Sequence, residues 1–288
     1  MSKTGIARYA VIGNPVAHSK SPRIHALFSA QTGKALEYGL LPAPLDGFAD
    51  AVRGFFAQGG AGLNVTVPFK QEAHAMAAHL SERAREAGAV NTLWMEQGGL
   101  HGCNTDGVGL VYDLARLGVR LAGARVLMVG AGGAARGVLH PLAQAGCAVL
   151  RIVNRSPARA QALAADASSG AGASCQVEGG ALADAALEGG WDLVINATST
   201  GLADAAPALP GGLYAHAGAA YDMMYGAEPT PFLRQARQDG AALCADGLGM
   251  LVGQAAESFR IWHGVRPDPV PVLARLRAEL SAQRATSA

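Results

Sequence analysis

The run Arg125-Val-Leu-Met-Val-Gly130-Ala-Gly132-Gly133-Ala-Ala135 passes from an apolar segment through glycines straight into a small-residue helical pattern. It restricts the fold more than any other stretch of the chain. A short apolar run of this kind reads as a buried strand, and Gly130 allows the sharp turn that follows it. A helix that opens directly after the turn makes a crossover, and crossovers of this type join parallel strands. Leu150-Arg-Ile-Val-Asn154 supplies the next strand at βαβ distance, and Trp191–Asn196 and Ala219–Asp222 read as further strands. The middle of the chain is therefore expected to be a parallel sheet layered with helices.

The spacing of the small residues also carries chemistry. Gly130, Gly132 and Ala135 stand at the three positions of a dinucleotide fingerprint, in the strand-to-helix context it requires. Gly132 lets the backbone approach a pyrophosphate, Ala135 lets helix and strand pack closely, and the first N–H groups of the helix face the phosphates. The second strand discriminates between cofactors. It ends in Asn154-Arg155-Ser156, with Arg159 one turn on, and no carboxylate stands where an NAD enzyme usually binds the ribose 2′-OH. A guanidinium suits a 2′-phosphate, so NADP is expected. Arg151 lies within the strand and is a poorer candidate for that role.

At 288 residues, half of them hydrophobic, the chain can form one large domain or two ordinary ones. A net charge of +1 provides no basic field for nucleic acid. No run of about 18 uninterrupted apolar residues suggests a membrane span, and the N-terminus lacks the apolar stretch of a signal peptide. Cys103, Cys147, Cys175 and Cys244 form no C-x-x-C pair and read as small buried hydrophobes, which fits a reducing cytoplasm. The eight histidines form no ligand cluster, so no metal is implied.

The first hundred residues read as a separate α/β unit. Strands are expected at Tyr9–Gly13, Leu36–Leu41 and Leu63–Val67, with helices at Pro22–Gln31, capped by Ser21, and Phe48–Gln58. Asn91–Met95 and Leu100–Cys103 suggest a hairpin turning at Gly98-Gly99. A helix near Gly107–Leu117 leads into the second unit, Ala162–Gly190 is poorly periodic, and helices at Gly249–His263 and Val270–Ala282 close the chain. Only four lysines occur, and none follows Lys70. Lys can release a proton where Arg in practice cannot, so Lys70 is a candidate for proton chemistry. Polar groups gather at element ends in Asn14–Ser21, Asn64–Lys70, Asn91-Thr92 and Asn104–Asp106. Beyond the carboxyl ends of strands, such hydroxyls, amides and one carboxylate suit a small polyhydroxylated ligand.

The runs Gly-Asn-Pro-Val-Ala-His-Ser-Lys-Ser-Pro, Asn-Val-Thr-Val-Pro-Phe-Lys, Gly-Ala-Val-Asn-Thr, Asn-Thr-Asp-Gly, Gly-Ala-Gly-Gly-Ala, Asn-Ala-Thr-Ser, Tyr-Asp-Met-Met-Tyr and Ala-Asp-Gly-Leu-Gly-Met-Leu-Val-Gly-Gln-Ala occur in this order. In this the chain resembles the shikimate dehydrogenase family from about Tyr9 to beyond Trp262. The resemblance implies reversible NADPH-dependent reduction of 3-dehydroshikimate to shikimate, in chorismate and aromatic amino acid biosynthesis. It implies an α/β fold of two domains with a cleft between them: a substrate domain at 1–106, a Rossmann-type NADP domain at 107–246, and C-terminal helices at 247–288 returning to the first. Carried over, Lys70 and Asp106 are the catalytic pair. Ser19 and Ser21, with Tyr225, would bind the substrate carboxylate, and Asn64, Thr66, Lys70, Asn91, Asp106 and Gln254 its ring hydroxyls. Gly130, Ala131, Gly132, Gly133 and Ala134 would hold the pyrophosphate, and Asn154, Arg155, Ser156 and Arg159 the 2′-phosphate. Thr198, Met223 and Gly247 would lie by the nicotinamide, and Glu82 is also assigned to the cofactor. The expected partner is the small-molecule substrate, in a monomer or homodimer, the homodimer being favoured. A quinate/shikimate dehydrogenase with broader substrates or NAD use, or a non-catalytic ligand sensor, are the alternatives.

Overall fold

Two sheets take up the strands of the computed structural model, which describes residues 6–168, 175–198 and 205–287. The N-terminal part runs β1 (Ala7–Gly13), α1 (Ser21–Thr32), β2 (Leu36–Pro42), α2 (Phe48–Ala57), β3 (Gly60–Val65), α3 (Lys70–Met76), β4 (His79–Leu80), α4 (Glu82–Ala87), β5 (Thr92–Glu96), β6 (Gly99–Cys103) and α5 (Asp106–Arg116). Its sheet has the order β2-β1-β3-β5-β6-β4. Strands β1, β2 and β3 are parallel, β5 runs against β3 and β6, and β4 pairs parallel with β6. Alternation along β3 gives the sheet two different faces. Leu63 and Val65 enter a core with Ile12, Phe48, Val52 and Phe69, whereas Asn64 points to the other side.

That second side carries an aromatic cluster. His25 of α1 stacks on Tyr38 at 4.2 Å and 7°, edge-on to Phe28 at 6.0 Å and 5.5 Å from Trp262. His25 and Phe28 are fully buried, as is Phe259.

The second sheet is built from β7 (Arg125–Val129), α6 (Gly133–Gln144), β8 (Val149–Asn154), α7 (Pro157–Ser168), β9 (Gln176–Ala181), β10 (Trp191–Asn196), β11 (Tyr214–Asp222), α8 (Pro231–Gln238) and β12 (Leu243–Asp246). The order β12-β11-β10-β7-β8-β9 is parallel throughout. Read from β9, this is the 3-2-1-4-5-6 order of a doubly wound dinucleotide-binding sheet. Alternation again feeds two cores: Val126 and Met128 pack with Leu110, Val138 and Leu142, while Leu127 and Val129 pack with Trp191, Phe232 and Leu233. Helices α9 (Leu248–His263) and α10 (Pro269–Ser287) end the chain. Two compact units result. One comprises Met1–Gly109 and Val252–Val272, the other Leu110–Leu251 and Leu273–Ala288. No helix among the described residues is long and apolar enough to cross a membrane.

Three local expectations are corrected. Ser21 is the first helical residue of α1, not its cap: Lys20 holds the cap position, and Ser19 Oγ accepts from the Ser21 N–H at 3.3 Å. The β5–β6 hairpin turns at Gln97-Gly98, because Glu96 pairs with Gly99, and both turn residues have positive φ (49° and 80°). Strand β3 stops at Val65, ahead of the turn in which the Phe69 N–H donates to the Thr66 carbonyl at 3.1 Å.

Candidate active site

Lys70 opens α3 just beyond the end of β3, and its carbonyl accepts the Val90 N–H at 2.8 Å, which ties the helix start to the strand-side loop. Asp106 opens α5. Its N–H donates to Asn104 Oδ1 at 3.0 Å, and Asn104 Nδ2 donates to the Ala89 carbonyl at 3.1 Å, so the turn before the helix is braced. Lys70 Nζ donates to Asp106 Oδ2 at 2.6 Å, with side chains 18% and 7% exposed. The other oxygen, Oδ1, accepts Asn91 Nδ2 at 2.9 Å. The carboxylate is thus clamped at both oxygens and lies at a helix N-terminus that favours its charge. The ammonium has three donors, and this bond uses one.

A buried polar network extends from this pair. Asn91 Oδ1 accepts the Thr105 N–H and the Thr92 hydroxyl, each at 2.9 Å, which sets the orientation of its amide. Thr105 Oγ1 lies 3.3 Å from both Gln254 Oε1 and Ser258 Oγ. Ser258 Oγ also accepts Asn64 Nδ2 at 3.0 Å and lies 2.8 Å from Thr92 Oγ1. The Tyr38 hydroxyl donates to Asn64 Oδ1 at 2.7 Å. Gln254 and Ser258 sit one turn apart on α9, so a single helix face supplies both. Burial holds the Tyr38 hydroxyl well above its ordinary pKa, against a nearby Ser21 that favours ionisation, so it remains a donor at neutral pH.

The structure therefore joins Asn64, Lys70, Asn91, Asp106 and Gln254 through hydrogen bonds. Ser19 and Ser21 form a second small group, their hydroxyls 3.2 Å apart. Thr66 lies at the β3 exit, and its methyl closes the space beside Gly13. Glu82 opens α4 in the first unit, whereas Tyr225 belongs to the second. Burial, and then Asp246, raises the Tyr225 pKa. Thr92 and Thr105 lie within the polar segments noted in the sequence but were not singled out, and Tyr38 and Ser258 were missed, because nothing local marks them. Only the strand alternation that turns Asn64 away from Leu63 hints at such a cluster.

In the second unit the glycine turn joins β7 to α6. Gly130 has φ +111°, and a Cβ there would press on Thr198 and on the Ala197 backbone at 3.0–3.2 Å. At Gly132 and Gly133 a Cβ would meet nothing of the protein within 4 Å. Those two glycines are not demanded by internal packing, and the open space lies at the start of a helix, where the first N–H groups have no partner within the helix. That is a cradle for a pyrophosphate, and the residues fit a dinucleotide. Asn154 ends β8 with its Nδ2 on the Ser156 carbonyl at 3.1 Å, and Arg155, Ser156 and Arg159 are exposed beyond it.

The neighbouring strand ends meet at two residues missed singly by sequence reasoning, although both lie inside quoted motifs. Asn196 Oδ1 accepts from Thr198 Oγ1 at 2.7 Å, and its Nδ2 donates to Asp222 Oδ1 at 3.1 Å. Asp222 also takes the Thr230 hydroxyl and the Met224 N–H. Burial nevertheless raises its pKa against these three bonds. The Gly247 N–H donates to the Met224 carbonyl at 3.0 Å, and a Cβ on Gly247 would come 2.2 Å from the Met223 carbonyl oxygen. Thr198, Met223 and Gly247 thus belong to one set of strand ends. Ser199, the last residue of the Asn196-Ala-Thr-Ser run, lies outside the described residues.

Comparison with known proteins agrees in both units. Residues 11–93 match a family model for the shikimate dehydrogenase substrate binding domain, residues 113–201 one for shikimate / quinate 5-dehydrogenase, and residues 247–277 one for the shikimate 5′-dehydrogenase C-terminal domain. A shikimate dehydrogenase (NADP(+)) of Bordetella petrii is 69% identical over 280 residues, covering 96% of this chain and 98% of the relative. One from Bordetella avium is 67% identical over 284 residues, covering 98% and 99%. Among solved structures, shikimate 5-dehydrogenase of Thermus thermophilus in complex with NADP(H) and shikimate superposes with a TM-score of 0.83 at 36% identity, covering 95% of this chain and 99% of that one. With agreement running through both halves of the fold, the chain belongs to the shikimate dehydrogenase family.

Proposed function

We propose that the chain is an NADP-dependent shikimate dehydrogenase that reduces 3-dehydroshikimate to shikimate reversibly, in chorismate and aromatic amino acid biosynthesis. The carrying observation is the Lys70–Asp106 pair at 2.6 Å, set in a network that also holds Asn64, Asn91 and Gln254. The first unit is the substrate domain and the second the NADP domain. Ser19 and Ser21, with Tyr225, take the substrate carboxylate. Asn64, Thr66, Asn91 and Gln254 hold the ring hydroxyls. The glycine turn Gly130–Ala134 holds the pyrophosphate, Asn154, Arg155, Ser156 and Arg159 the 2′-phosphate, and Thr198, Met223 and Gly247 the nicotinamide end. Glu82 is the weakest member of the cofactor set, since it stands in the first unit.

Bound NADPH supplies the hydride for the C3 carbonyl carbon. Lys70 delivers a proton to the oxygen as its negative charge develops, and accepts it from the hydroxyl in the reverse direction. Asp106 orients the ammonium and hydrogen-bonds the same oxygen, while Asn91 fixes Asp106. Lys70→Ala should lower kcat by ~10²–10⁴-fold with a smaller change in KM for shikimate. Near-normal turnover would remove Lys70 from proton transfer. Lys70→Arg separates the roles, because it keeps the charge and removes easy proton release. Rates on shikimate and quinate, each with NADP and NAD, test the alternative of a broader quinate/shikimate enzyme. The protein is read as cytoplasmic and as a monomer or homodimer, the homodimer favoured, which cell fractionation and light scattering would check.

A further inference from the structure

The four cysteines are all free thiols, yet two are paired in space. Cys147 Sγ and Cys175 Sγ lie 3.1 Å apart. They precede β8 and β9, whose parallel register starts at Val149 and Gln176. The Gln176 N–H donates to the Ala148 carbonyl at 2.9 Å, so the backbone beside each cysteine is already held. Cys103 Sγ lies instead against Arg83 and the Asn104 carbonyl. Cys147 is fully buried and Cys175 half-buried.

We propose that Cys147 and Cys175 form a reversible oxidation site, at which a peroxide closes an intrachain disulfide that staples edge strand β9 to β8. The half-buried Cys175 reacts first: its sulfur takes one oxygen from hydrogen peroxide, giving a sulfenic acid and one water. Cys147 sulfur then attacks the sulfenic sulfur. The S–S bond forms, the S–O bond breaks, and the Cys147 proton leaves with the hydroxide as a second water. Two thiols are oxidised by two electrons in all and one peroxide is reduced to two waters. The division of roles agrees with the site's electrostatics: burial, and then the contact with Cys175, pushes the Cys147 thiol up to about 12. It stays protonated at neutral pH and is a poor first nucleophile.

The bond would close a loop over the whole β8–α7–β9 crossover. It would form at the start of β8, whereas Asn154 and the arginines after it stand at the other end of that six-residue strand, ~20 Å away at ~3.3 Å per residue. The staple therefore stabilises the sheet edge and leaves the dinucleotide residues alone.

Folded wild-type protein treated with hydrogen peroxide should lose two titratable thiols and yield a linked Cys147–Cys175 peptide under non-reducing conditions. Its Tm should rise by ~5–10 °C, with steady-state rates unchanged and the whole effect reversed by dithiothreitol. Cys175→Ser should show neither link nor Tm shift under the same treatment. The proposal is overturned if Cys147 and Cys175 still titrate as thiols, or if Cys175 proceeds to sulfinic acid with Cys147 free. A linked protein with unchanged Tm, or with lost activity, would equally refute the staple.

Discussion

Acid should weaken the first unit through one buried imidazole. His25 is fully buried, and neither ring nitrogen has a hydrogen-bond partner among the described residues. Burial, and then the neighbouring His263, lowers its pKa from 6.5 to about 3, with Asn64 close enough to oppose this slightly. In the folded protein His25 is neutral over most of the acid range, while in the unfolded chain it takes up a proton below its ordinary value. Its stabilising contribution is thus complete above pH 6.5 and is lost progressively as the pH falls toward 3. At ~1.4 kcal/mol per pH unit, the loss is about 2 kcal/mol between about pH 7.5 and pH 5, and about 5 kcal/mol by about pH 3. His25→Phe keeps a planar ring on Tyr38 and removes the titration. Any packing penalty of the larger ring acts at both pH values and cancels in the comparison. Urea unfolding followed by tryptophan fluorescence, with hydrogen exchange across α1 to assign the transition, should show the wild type losing about 2 kcal/mol more than the variant from about pH 7.5 to pH 5. His263, whose pKa is also lowered by burial, remains in both proteins. Equal losses would refute the argument that this imidazole is buried neutral and unpartnered.

The second unit makes two further predictions. Arg155→Ala or Arg159→Ala should raise KM for NADP ~10–100-fold, the worth of a charge-assisted hydrogen bond to phosphate, and leave KM for NAD nearly unchanged; equal effects on both cofactors would remove the residue from 2′-phosphate recognition. Gly247→Ala places a Cβ 2.2 Å from the Met223 carbonyl oxygen, so the β12–α9 turn must shift. A stability loss of roughly 1–3 kcal/mol and a raised KM for NADP are expected from thermal melts and kinetics.

What was legible in the chain was mostly local. The β7 turn into α6 is visible because glycine at φ +111° and two glycines facing open space leave a direct mark on residue choice. The strand end at Asn154, and the exits of β3 and β6 that lead to Lys70 and Asp106 at the following helix starts, follow from apolar runs stopped by turn residues. What escaped notice depends on distant partners. Ser258 is an ordinary helical serine until α9 is laid against β3 and β5, and Tyr38 is an ordinary strand tyrosine until Asn64 meets it. Thr105 reads as turn chemistry in isolation, and Asp222 as the end of a strand. The hairpin turn slipped by one residue because Gln97 accepts a positive φ that the sequence would assign to the second glycine. Cys147 and Cys175 have no diagnostic spacing, and only the parallel register of β8 and β9 brings them together.

Helix α9 has a consequence in time. The polar network of the first unit is completed by Gln254 and Ser258, about 150 positions after Asp106 and nearly 200 after Asn64. At ~5–20 residues per second on a ribosome, roughly 8–30 s pass between synthesis of Asp106 and of Ser258. During that interval Asn64, Thr92 and Thr105 lack their final partner, while the whole second sheet is made. The first unit begins first, yet it is completed only after nearly all of the second has been made. A fragment ending near Gly109 would keep Lys70 and Asp106 but lack the helix that buries and braces their neighbours, so the catalytic half cannot be separated by cutting the chain at its first boundary.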